Sequence, residues 1–501
     1  MASKQYDDLS KDELIRLLQA RDQRDATRFG LVWEANEIER DKALNKDFVA
    51  LDLDPSLSCG NAPWRNLIIE GDNFDALRHL RMTFAGKVKC IYIDPPYNTG
   101  NKDFIYNDRF VDKEDLWRHS KWCEFMFQRL TLAKDLLRQD GVILVSIDDN
   151  EIAQLRLIMD RIFGANNFVA NIIWQKVFTV KNSARHFSDM HDYIVVFANN
   201  TDSWKPNLLP RSAELNETYS NPDDDQRGPW TTNAIQARNF YGAGTYEIRS
   251  PAGKVFLPPR GTYWRVSKES YDKLVDDKRI WWGSKGQSIP RIKKFLAEAK
   301  QGVVPATLWF HKEAGQNAEA KTELRTIMGE ANEGDLFFVT PKPVRLIDRI
   351  LRLTTDADSL IVDFFAGSGT TAHAVHKLNK EDGGNRRVIL VSSTEATADE
   401  PDKNLCRDVC ATRVRRVVEG YGDTEGLGGD FAYLRCRRIE PGRLMEIDHS
   451  QVWTALQLIH GETLAPFEDV PILSTGDEEQ RLIYLPPVSY THLTLPTNRE
   501  V

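Results

Sequence analysis

The fold of this chain is decided by the stretch Val88-Lys89-Cys90-Ile91-Tyr92-Ile93-Asp94-Pro95-Pro96-Tyr97. The part up to Ile93 predicts a buried parallel strand, so the tetrapeptide that follows lies at the carboxyl end, where open α/β sheets carry their chemistry. The Asp94 side chain and a backbone carbonyl left free by proline can accept the two N–H bonds of an exocyclic amine, and Tyr97 offers a flat face for stacking. The alternative is a rigid turn after a strand, so this stretch alone does not decide the function.

A second motif lies far downstream and reads Asp363-Phe364-Phe365-Ala366-Gly367-Ser368-Gly369-Thr370-Thr371. It follows the strand-like segment Ser359–Val362 and precedes the helical segment Ala372–Leu378. A strand, a tight turn and a helix N-terminus together predict a binding site for a polar or anionic group. The glycines permit positive φ and close backbone approach, and Thr370 and Thr371 are predicted as helix N-caps. The motif is neither G-x-G-x-x-G nor G-x-x-x-x-G-K-[ST], which disfavours binding of dinucleotides and nucleoside triphosphates.

A further predicted strand, Arg387–Ser392, ends close to Glu395. An acidic residue at the tip of this strand can hydrogen-bond a ribose hydroxyl, as in Rossmann-type sites. The alternative, a solvated loop carboxylate, is equally compatible with the sequence.

Taken together, these motifs resemble those of the DNA amino-methyltransferases that use S-adenosylmethionine, and their order is that of the β group of adenine-N6 enzymes. Thr340–Pro343 resembles the segment that precedes the glycine motif in this family, and Asp140–Glu151 resembles the strand after D-P-P-Y. Gly30–Glu34 and Ile69–Asn73 are similar to the modification subunit of type III restriction–modification systems. The resemblance covers residues 28 to 440 and consists of several motifs in the right order, which makes it specific.

The resemblance implies an α/β fold, a Rossmann-like methyltransferase sheet interrupted by an inserted target-recognition domain. It implies transfer of a methyl group from S-adenosylmethionine to adenine N6 in double-stranded DNA, after the base has been flipped out of the duplex. It implies neither a metal nor a covalent intermediate. The catalytic residues would be Asp94, Pro95, Pro96 and Tyr97. The cofactor-binding residues would be Asp363, Phe365, Gly367, Ser368, Gly369, Thr370, Lys342, Pro343 and Glu395.

Two alternative functions remain open at this point. The same loop can hold the exocyclic amine of cytosine, but cytosine-N4 enzymes commonly begin this motif with Ser-Pro-Pro, so the form ending in Tyr97 favours adenine. A DNA-binding specificity subunit without catalytic activity is the other alternative. The presence of Asp94, Tyr97, Gly367 and Gly369 argues against it. The family further implies a homodimer and a restriction subunit as partners.

The chain divides into segments of different character. Residues 1–60 are predicted to be a helical N-terminal extension, either an oligomerisation arm or a helix that caps the main domain. Residues 61–175 and 336–440 are the two halves of the methyltransferase domain. Residues 441–487 are predicted to begin a truncated C-terminal region. Residues 488–501 resemble a translated sequencing adapter, which makes them an expected assembly artefact.

Residues 176–335 lack methyltransferase motifs and contain clustered turn residues and short aromatic segments, which predicts the target-recognition insert. Its candidate DNA-binding residues are Arg265, Lys285, Gln287, Arg291, Lys293 and Lys294. The alternative is that its tryptophans are core residues and its cations ordinary surface groups. A second cluster of arginines begins at Arg413.

Composition sets limits but does not identify the function. The chain has 501 residues, 41% of them hydrophobic, a net charge of −8 and six cysteines. An acidic total does not exclude DNA binding, because phosphate contacts require only a local basic surface. The scattered cysteines do not have zinc-ligand spacing and are typical of a reduced, cytoplasmic protein.

Overall fold

The computed structural model describes residues 47–100, 105–106, 109–110, 117–211, 216–299, 302–329, 340–397, 400–461, 463–468, 470, 473–476 and 481–484. The predicted helix within residues 1–46, the segment Gly30–Glu34 and the tail 488–501 therefore lie outside the described residues. Within those ranges, no helix is both long enough and apolar enough to cross a membrane.

The molecule is built on one large sheet, whose strands are numbered here in chain order. They are β1 (Phe48–Cys59), β2 (Leu67–Glu70), β3 (Val88–Ile93), β4 (Leu137–Ile147), β5 (Phe168–Gln175), β6 (His191–Ala198), β7 (Leu308–Trp309), β8 (Leu360–Asp363), β9 (Arg387–Ser392) and β10 (Phe431–Ile439). Their spatial order is β1-β10-β2-β9-β8-β3-β4-β6-β5-β7. The strands from β10 to β4 in this order are mutually parallel, whereas β1 and β6 are antiparallel to their neighbours.

Strands β8 and β3 are neighbours at the centre of the sheet, although 266 residues separate Asp94 from Leu360. From β8 the chain continues outward to β9, and from β3 it continues to β4 on the other side. This reversal of direction is the switch point at which doubly wound sheets bind their ligands. Both sequence motifs therefore lie side by side at the carboxyl ends of two neighbouring strands, as the family resemblance implies.

Helices cover both faces of the sheet, and one more helix, α4 (Lys268–Asp276), lies in the segment between β6 and β7. They are α1 (Asn73–Phe84), α2 (Arg118–Leu136), α3 (Ile152–Phe163), α4 (Lys268–Asp276), α5 (His311–Ala314), α6 (Asn317–Met328), α7 (Val344–Thr354), α8 (Thr370–Asp382), α9 (Thr412–Glu419) and α10 (His449–His460). Alternate strand residues face opposite layers, because side chains in a strand have a period of two. Ile91 and Ile93 pack on the layer of α1, α2 and α3, whereas Cys90 and Tyr92 pack on the layer of α7 and α8. The Rossmann-like fold is thus confirmed.

The predicted helical extension is wrong for its last part, because Phe48–Cys59 is strand β1. Its Val49, Ala50 and Leu51 are buried, and it pairs antiparallel with β10 at the sheet edge. Three consecutive buried residues are followed by the exposed Pro55 and Ser56 and then by the buried Cys59, so the strand lacks the alternation that would have marked it in the sequence.

The predicted insert is also too wide. Strand β6 (His191–Ala198) lies inside the large sheet, and β7 (Leu308–Trp309) forms its far edge. The insert itself leaves and returns where Leu209 and Val303 form two backbone hydrogen bonds of 3.0 and 2.8 Å. Between these residues it has its own small core, formed by Ile235, Ile248, Trp264, Tyr271 and Ile280. Residues 176–208 and 304–329 therefore flank the insert and do not belong to it.

Candidate active site

The D-P-P-Y turn is held rigidly at the end of β3. The indole Nε1 of Trp122, on α2, donates a hydrogen bond of 2.7 Å to the Pro96 carbonyl. Asn98 is fully buried at φ +56°, a left-handed conformation that asparagine tolerates better than most residues. Its side-chain amide donates to Glu151 Oε1 and to the Arg118 carbonyl. Helices α2 and α3 thus fix the exit of the turn.

Asp94 forms an ion pair that uses only one of its two carboxylate oxygens. Lys342 Nζ lies 2.5 Å from Asp94 Oδ2, and the two side chains are 10% and 21% exposed. Asp94 Oδ1 is buried and has no hydrogen-bond partner among the described residues. The same ammonium lies 5.1 Å from the centroid of the Tyr97 ring. Lys342 therefore orients Asp94 while leaving one buried acceptor oxygen available to a donor.

Tyr97 is held from the opposite side by a carboxylate that the sequence analysis missed. Its hydroxyl donates to Asp192 Oδ2 at 3.4 Å, and Lys176 Nζ donates to Asp192 Oδ1 at 2.7 Å. Burial raises the pKa of Asp192, against the lowering effects of Lys342 and Lys176. Burial and the Asp94 charge raise the pKa of Tyr97 well above its usual range, so the phenol stays protonated. The only sequence signal for Asp192 was an acidic residue at the start of a hydrophobic run.

The glycine-rich turn lies directly beside this loop, at the end of β8. Gly367 and Gly369 have φ values of +50° and +77°, and a Cβ on Gly369 would lie 3.2 Å from the Cys410 carbonyl oxygen. The predicted N-caps are wrong, because the N-cap of α8 is Gly369 and it makes no side-chain cap bond. Thr371 lies inside the helix, where its hydroxyl donates to Asp363 Oδ2. Thr370 also lies in the first helical turn.

Asp363 is a buried carboxyl group at the floor of the site. Its Oδ1 accepts from the Phe365 backbone N–H at 3.1 Å, and its Oδ2 accepts from Thr371. The pKa of Asp363 is raised to about 7. Burial is the main cause and the nearby Asp94 adds to it, whereas the two hydrogen bonds and Lys342 lower the pKa. Asp363 was predicted to bind the cofactor. In the structure its hydrogen bonds hold the shape of the glycine-rich turn.

The underside of the glycine turn is held by Arg413, which the sequence analysis had placed in a surface arginine cluster. That interpretation is wrong, since Arg413 is completely buried. Its guanidinium donates to Ser368 Oγ at 3.0 Å and to Thr370 Oγ1 at 2.7 Å. Glu323, on α6, lies 3.5 Å away and supplies the opposite charge. The Ser368 and Thr370 hydroxyls therefore face the protein interior.

A third loop ties the two motifs together. Asn73 Nδ2 donates to the Phe364 carbonyl at 2.8 Å, and Asn73 Oδ1 accepts from Arg129. The Arg129 guanidinium stacks 3.6 Å from the centroid of the Phe125 ring and binds Asp72 at 3.1 Å. Arg129 occupies an ordinary position on an amphipathic helix, so nothing in the sequence marked it.

The remaining predicted cofactor residues lie around the same edge. Phe365 packs near Phe125, with ring centroids 6.0 Å apart. Pro343 is buried and packs against Gly315. A Cβ added to Gly315 would lie only 2.9 Å from the Pro343 Cβ, so the role of Pro343 seen here is packing. Glu395 has φ +52° and lies 3.1 Å from Lys403 at the surface. Its predicted contact with a ribose stays a prediction.

Five of the six candidate DNA-binding residues of the insert are exposed, namely Arg265, Lys285, Gln287, Arg291 and Lys294.

The prediction for Lys293 is wrong, because its side chain is only 4% exposed and binds both Asp223 and Asp225. On the strand Arg291–Phe295, residues alternate between the insert's interior and solvent, which separates Lys293 from its exposed neighbour Lys294. Lys293 is an internal ion-pair residue of the insert and is not available to phosphate.

The site has the features that S-adenosylmethionine requires. The glycine turn has no side chains that would obstruct backbone contact, and two of its residues occupy φ values that favour glycine. Asp94, Asp192 and Asp363 line the junction between the motifs, where Lys342 and Lys176 pair with the first two and burial raises the pKa of Asp363 to about 7. The amine acceptor on Asp94 is located at this junction.

Comparisons with known proteins agree with this site. The family model described as DNA methylase matches residues 88–396. The Mod subunit of the type III restriction–modification enzyme StyLTI from Salmonella typhimurium is 36% identical over 397 residues, which are 73% of this chain and 59% of that protein. The type II methyltransferase M.KpnI from Klebsiella pneumoniae is 31% identical over 389 residues, which are 70% of this chain and 88% of that protein.

Among solved structures, the cytosine-N4-specific PvuII DNA methyltransferase is 12% identical, and the match covers 72% of this chain and 97% of that one at a TM-score of 0.35. The chain spans about three fifths of the length of the type III relatives that it matches.

Proposed function

We propose that this chain, which belongs to the DNA methylase family, methylates adenine N6 in double-stranded DNA. The observation that carries the proposal is the buried, unpartnered Oδ1 of Asp94 beside the Tyr97 ring, at the junction with the glycine turn. A buried acceptor without a donor is costly, so it marks the place where a ligand donor belongs. An exocyclic amine of a base stacked on Tyr97 would supply that donor.

The residues of the two motifs divide the work between them. Asp94 Oδ1 and the Pro95 carbonyl would accept the two N6 hydrogens, which turns the nitrogen lone pair towards the cofactor. The Pro96 carbonyl is not available for this, because it already accepts from Trp122. Tyr97, held by Asp192, would stack on the flipped base, and flipping costs a few kcal/mol. Lys342 holds Asp94 in place throughout.

When bound at the glycine turn, S-adenosylmethionine supplies an electrophilic methyl group on a positively charged sulfur. The chain then has only to position the amine in line with the methyl group and to exclude water. Positioning and water exclusion together can lower a large part of the barrier in such transfers. The methylated nitrogen is acidic until it loses a proton, and Asp94 can accept that proton after the transfer. Asp94 therefore does not have to act as a strong base.

Adenine is preferred over cytosine because of Tyr97. The hydrogen-bonding groups of the loop fit either exocyclic amine, but the phenol ring held between Lys342 and Asp192 favours the larger purine for stacking. A role as a non-catalytic specificity subunit is disfavoured because Asp94, Tyr97, Gly367 and Gly369 are all present, and a protein that only binds DNA does not need both turns.

The biological setting is proposed from the relatives. Type III Mod subunits are among the relatives that match, so we place this chain in a type III restriction–modification system, as a cytoplasmic homodimer that pairs with a restriction subunit. The match to 88% of a type II methyltransferase supports the view that the region present here is sufficient for methylation. The exposed insert residues, among them Arg265 and Lys294, would contact DNA.

The test is a methylation assay with the purified chain, S-adenosylmethionine and unmethylated DNA, in which N6-methyladenine and N4-methylcytosine are separated by mass spectrometry. We expect N6-methyladenine from the unaltered chain and none from Asp94→Ala. Cofactor affinity of that variant should stay unchanged, because Asp94 contacts the base and not the glycine turn. Methylation by Asp94→Ala at the normal rate would refute the role of Asp94. If the unaltered chain produced N4-methylcytosine, the substrate would be cytosine and not adenine.

A further inference from the structure

A loop with an unusual surface connects β5 to β6 and comprises residues 177–190. Its Phe187 is 96% exposed, and Val180 and Phe178 are 59% and 54% exposed. The loop is ordered at its base, where the Val177 N–H donates to the Met190 carbonyl and the Phe178 ring stacks on His311 with centroids 5.2 Å apart. Large apolar side chains in full contact with water are unfavourable, so three of them on one ordered loop indicate a binding surface.

The sheet topology places this loop beside the active site. Strand β5 is antiparallel to β6, and β6 is antiparallel to β4, so β5 runs in the same direction as β4 and β3. The carboxyl ends of β3 and β5 therefore lie on the same edge of the sheet. At the base of the loop, Lys176 binds Asp192, the carboxylate that holds Tyr97. The loop and the base-stacking residue thus share one support.

The charge of the loop selects its partner. The loop contains Lys181, Arg185 and His186, and its one acidic residue, Asp189, is paired with Lys176 at the base of the loop. The side chains of these three residues form no hydrogen bond or ion pair within the part of the chain that the structure describes, and all three are exposed. Three cationic or ionisable groups around an exposed phenyl ring match a polyanion that also offers a stacking surface. A DNA duplex has both properties, with phosphates outside and base pairs inside.

We infer that Phe187 is a wedge that enters the base stack next to the target adenine and fills the space left when the adenine moves into the Asp94–Tyr97 site. Lys181 and Arg185 would bind the flanking phosphates and hold the loop against the duplex. This inference rests on the proposed function, because it requires a flipped base. Apolar side chains that insert between base steps offset the loss of stacking, which otherwise amounts to a few kcal/mol.

The experiment compares Phe187→Ala with the unaltered chain on two duplexes that differ at one position. In the first, the target adenine is paired with thymine; in the second, it lies opposite an abasic site, where unstacking costs little. We expect Phe187→Ala to lower kcat/KM on the paired duplex about tenfold or more, and to stay within about threefold of the unaltered chain on the abasic one. Phe187→Trp, which keeps a flat apolar ring, should restore most of the activity on the paired duplex.

Arg185→Gln serves as the matched control on the same loop. It should weaken binding equally on both duplexes and reduce the slope of log affinity against log salt by about one, as for a phosphate contact. Equal activity of Phe187→Ala and the unaltered chain on the paired duplex would overturn the wedge, as would an equal loss on both duplexes. An unaltered chain that methylates neither duplex nor any other DNA would overturn the proposed function itself, and the wedge with it.

Discussion

Replacing Lys342 by methionine tests how far Asp94 depends on its ion-pair partner. At the observed separation of 2.5 Å, an effective dielectric constant of ~20 gives an attraction of about 6 kcal/mol. Desolvation of the nearly buried ammonium offsets much of this, and removing one partner of a buried pair costs about 3–5 kcal/mol. Since Asp94 is 21% exposed and water can partly replace the lysine, we expect the lower end, about 2–3 kcal/mol.

If this energy holds Asp94 towards the amine, its loss corresponds to a fall in kcat of roughly 30- to 160-fold. The assay is single-turnover methylation of a duplex by Lys342→Met, with Lys380→Met as control. Lys380 carries the same charge on α8 but is 42% exposed and pairs with a surface glutamate, so its replacement should leave kcat unchanged.

A thermodynamic cycle separates the ion pair from other effects of the substitution. In an Asp94→Asn background, Lys342→Met should cost nothing or should stabilise the fold, because it then removes a buried ammonium that has lost its main partner. Unfolding free energies of the four proteins provide this comparison. A kcat for Lys342→Met within threefold of the unaltered chain, or the same stability cost in both backgrounds, would refute the reasoning.

Three further predictions follow from charges and backbone conformation. The pKa of Asp363 is raised to about 7, above its ordinary 3.8, so its stabilising contribution is complete below about pH 4 and is lost as the pH rises to about 7, by roughly 4 kcal/mol; in Asp363→Asn, thermal melts between pH 5 and 7 should show a flatter dependence, and an unchanged one would contradict this. Gly369→Ala places a Cβ at φ +77° and 3.2 Å from a carbonyl oxygen, so it should cost about 1–3 kcal/mol and weaken S-adenosylmethionine binding in calorimetry, whereas full affinity would exclude the turn as the cofactor site. Lys293→Met should destabilise the insert by about 3 kcal/mol, because it leaves two aspartates facing each other, while the exposed Lys294→Met should change its unfolding by under about 0.5 kcal/mol; proteolysis of both variants would show whether their order is reversed.

The two turns whose positions at strand ends were predicted correctly are each contiguous in the chain. The D-P-P-Y turn and the glycine turn each follow a hydrophobic run, so both could be placed at the end of a strand, and parallel strands bring such ends together. The residues that the sequence analysis missed act across the fold. Asp192, Asn73 and Arg129 come from three separate elements and meet the motifs only after the sheet and helices have assembled.

The wrong predictions have a common physical origin. A short sequence pattern does not show which other elements pack against the segment in the folded protein. Strand β6 is a hydrophobic run that suits either an insert or the main sheet, and only its pairing with β4 decides between them. Lys293 and Lys294 are adjacent cations, and the strand's alternation buries the first beside two aspartates while exposing the second. Arg413 resembled its neighbours Arg415 and Arg416, which are only half-buried, but its helix turns it beneath the glycine turn.

The acidic total charge is consistent with a DNA enzyme once the positions of the charges are considered. Several of the carboxylates that contribute to the net charge of −8 lie at the motif junction, where Asp94, Asp192 and Asp363 face a site for a cationic cofactor. Two ammonium groups, those of Lys342 and Lys176, fix the first two of these carboxylates and so also hold the loop that presents the base-stacking ring. The 177–190 loop projects from the same edge with no acidic residue before its base. The carboxylates at the junction are thus matched by ammonium groups within the site, whereas Lys181 and Arg185 on the loop are exposed where phosphate would approach.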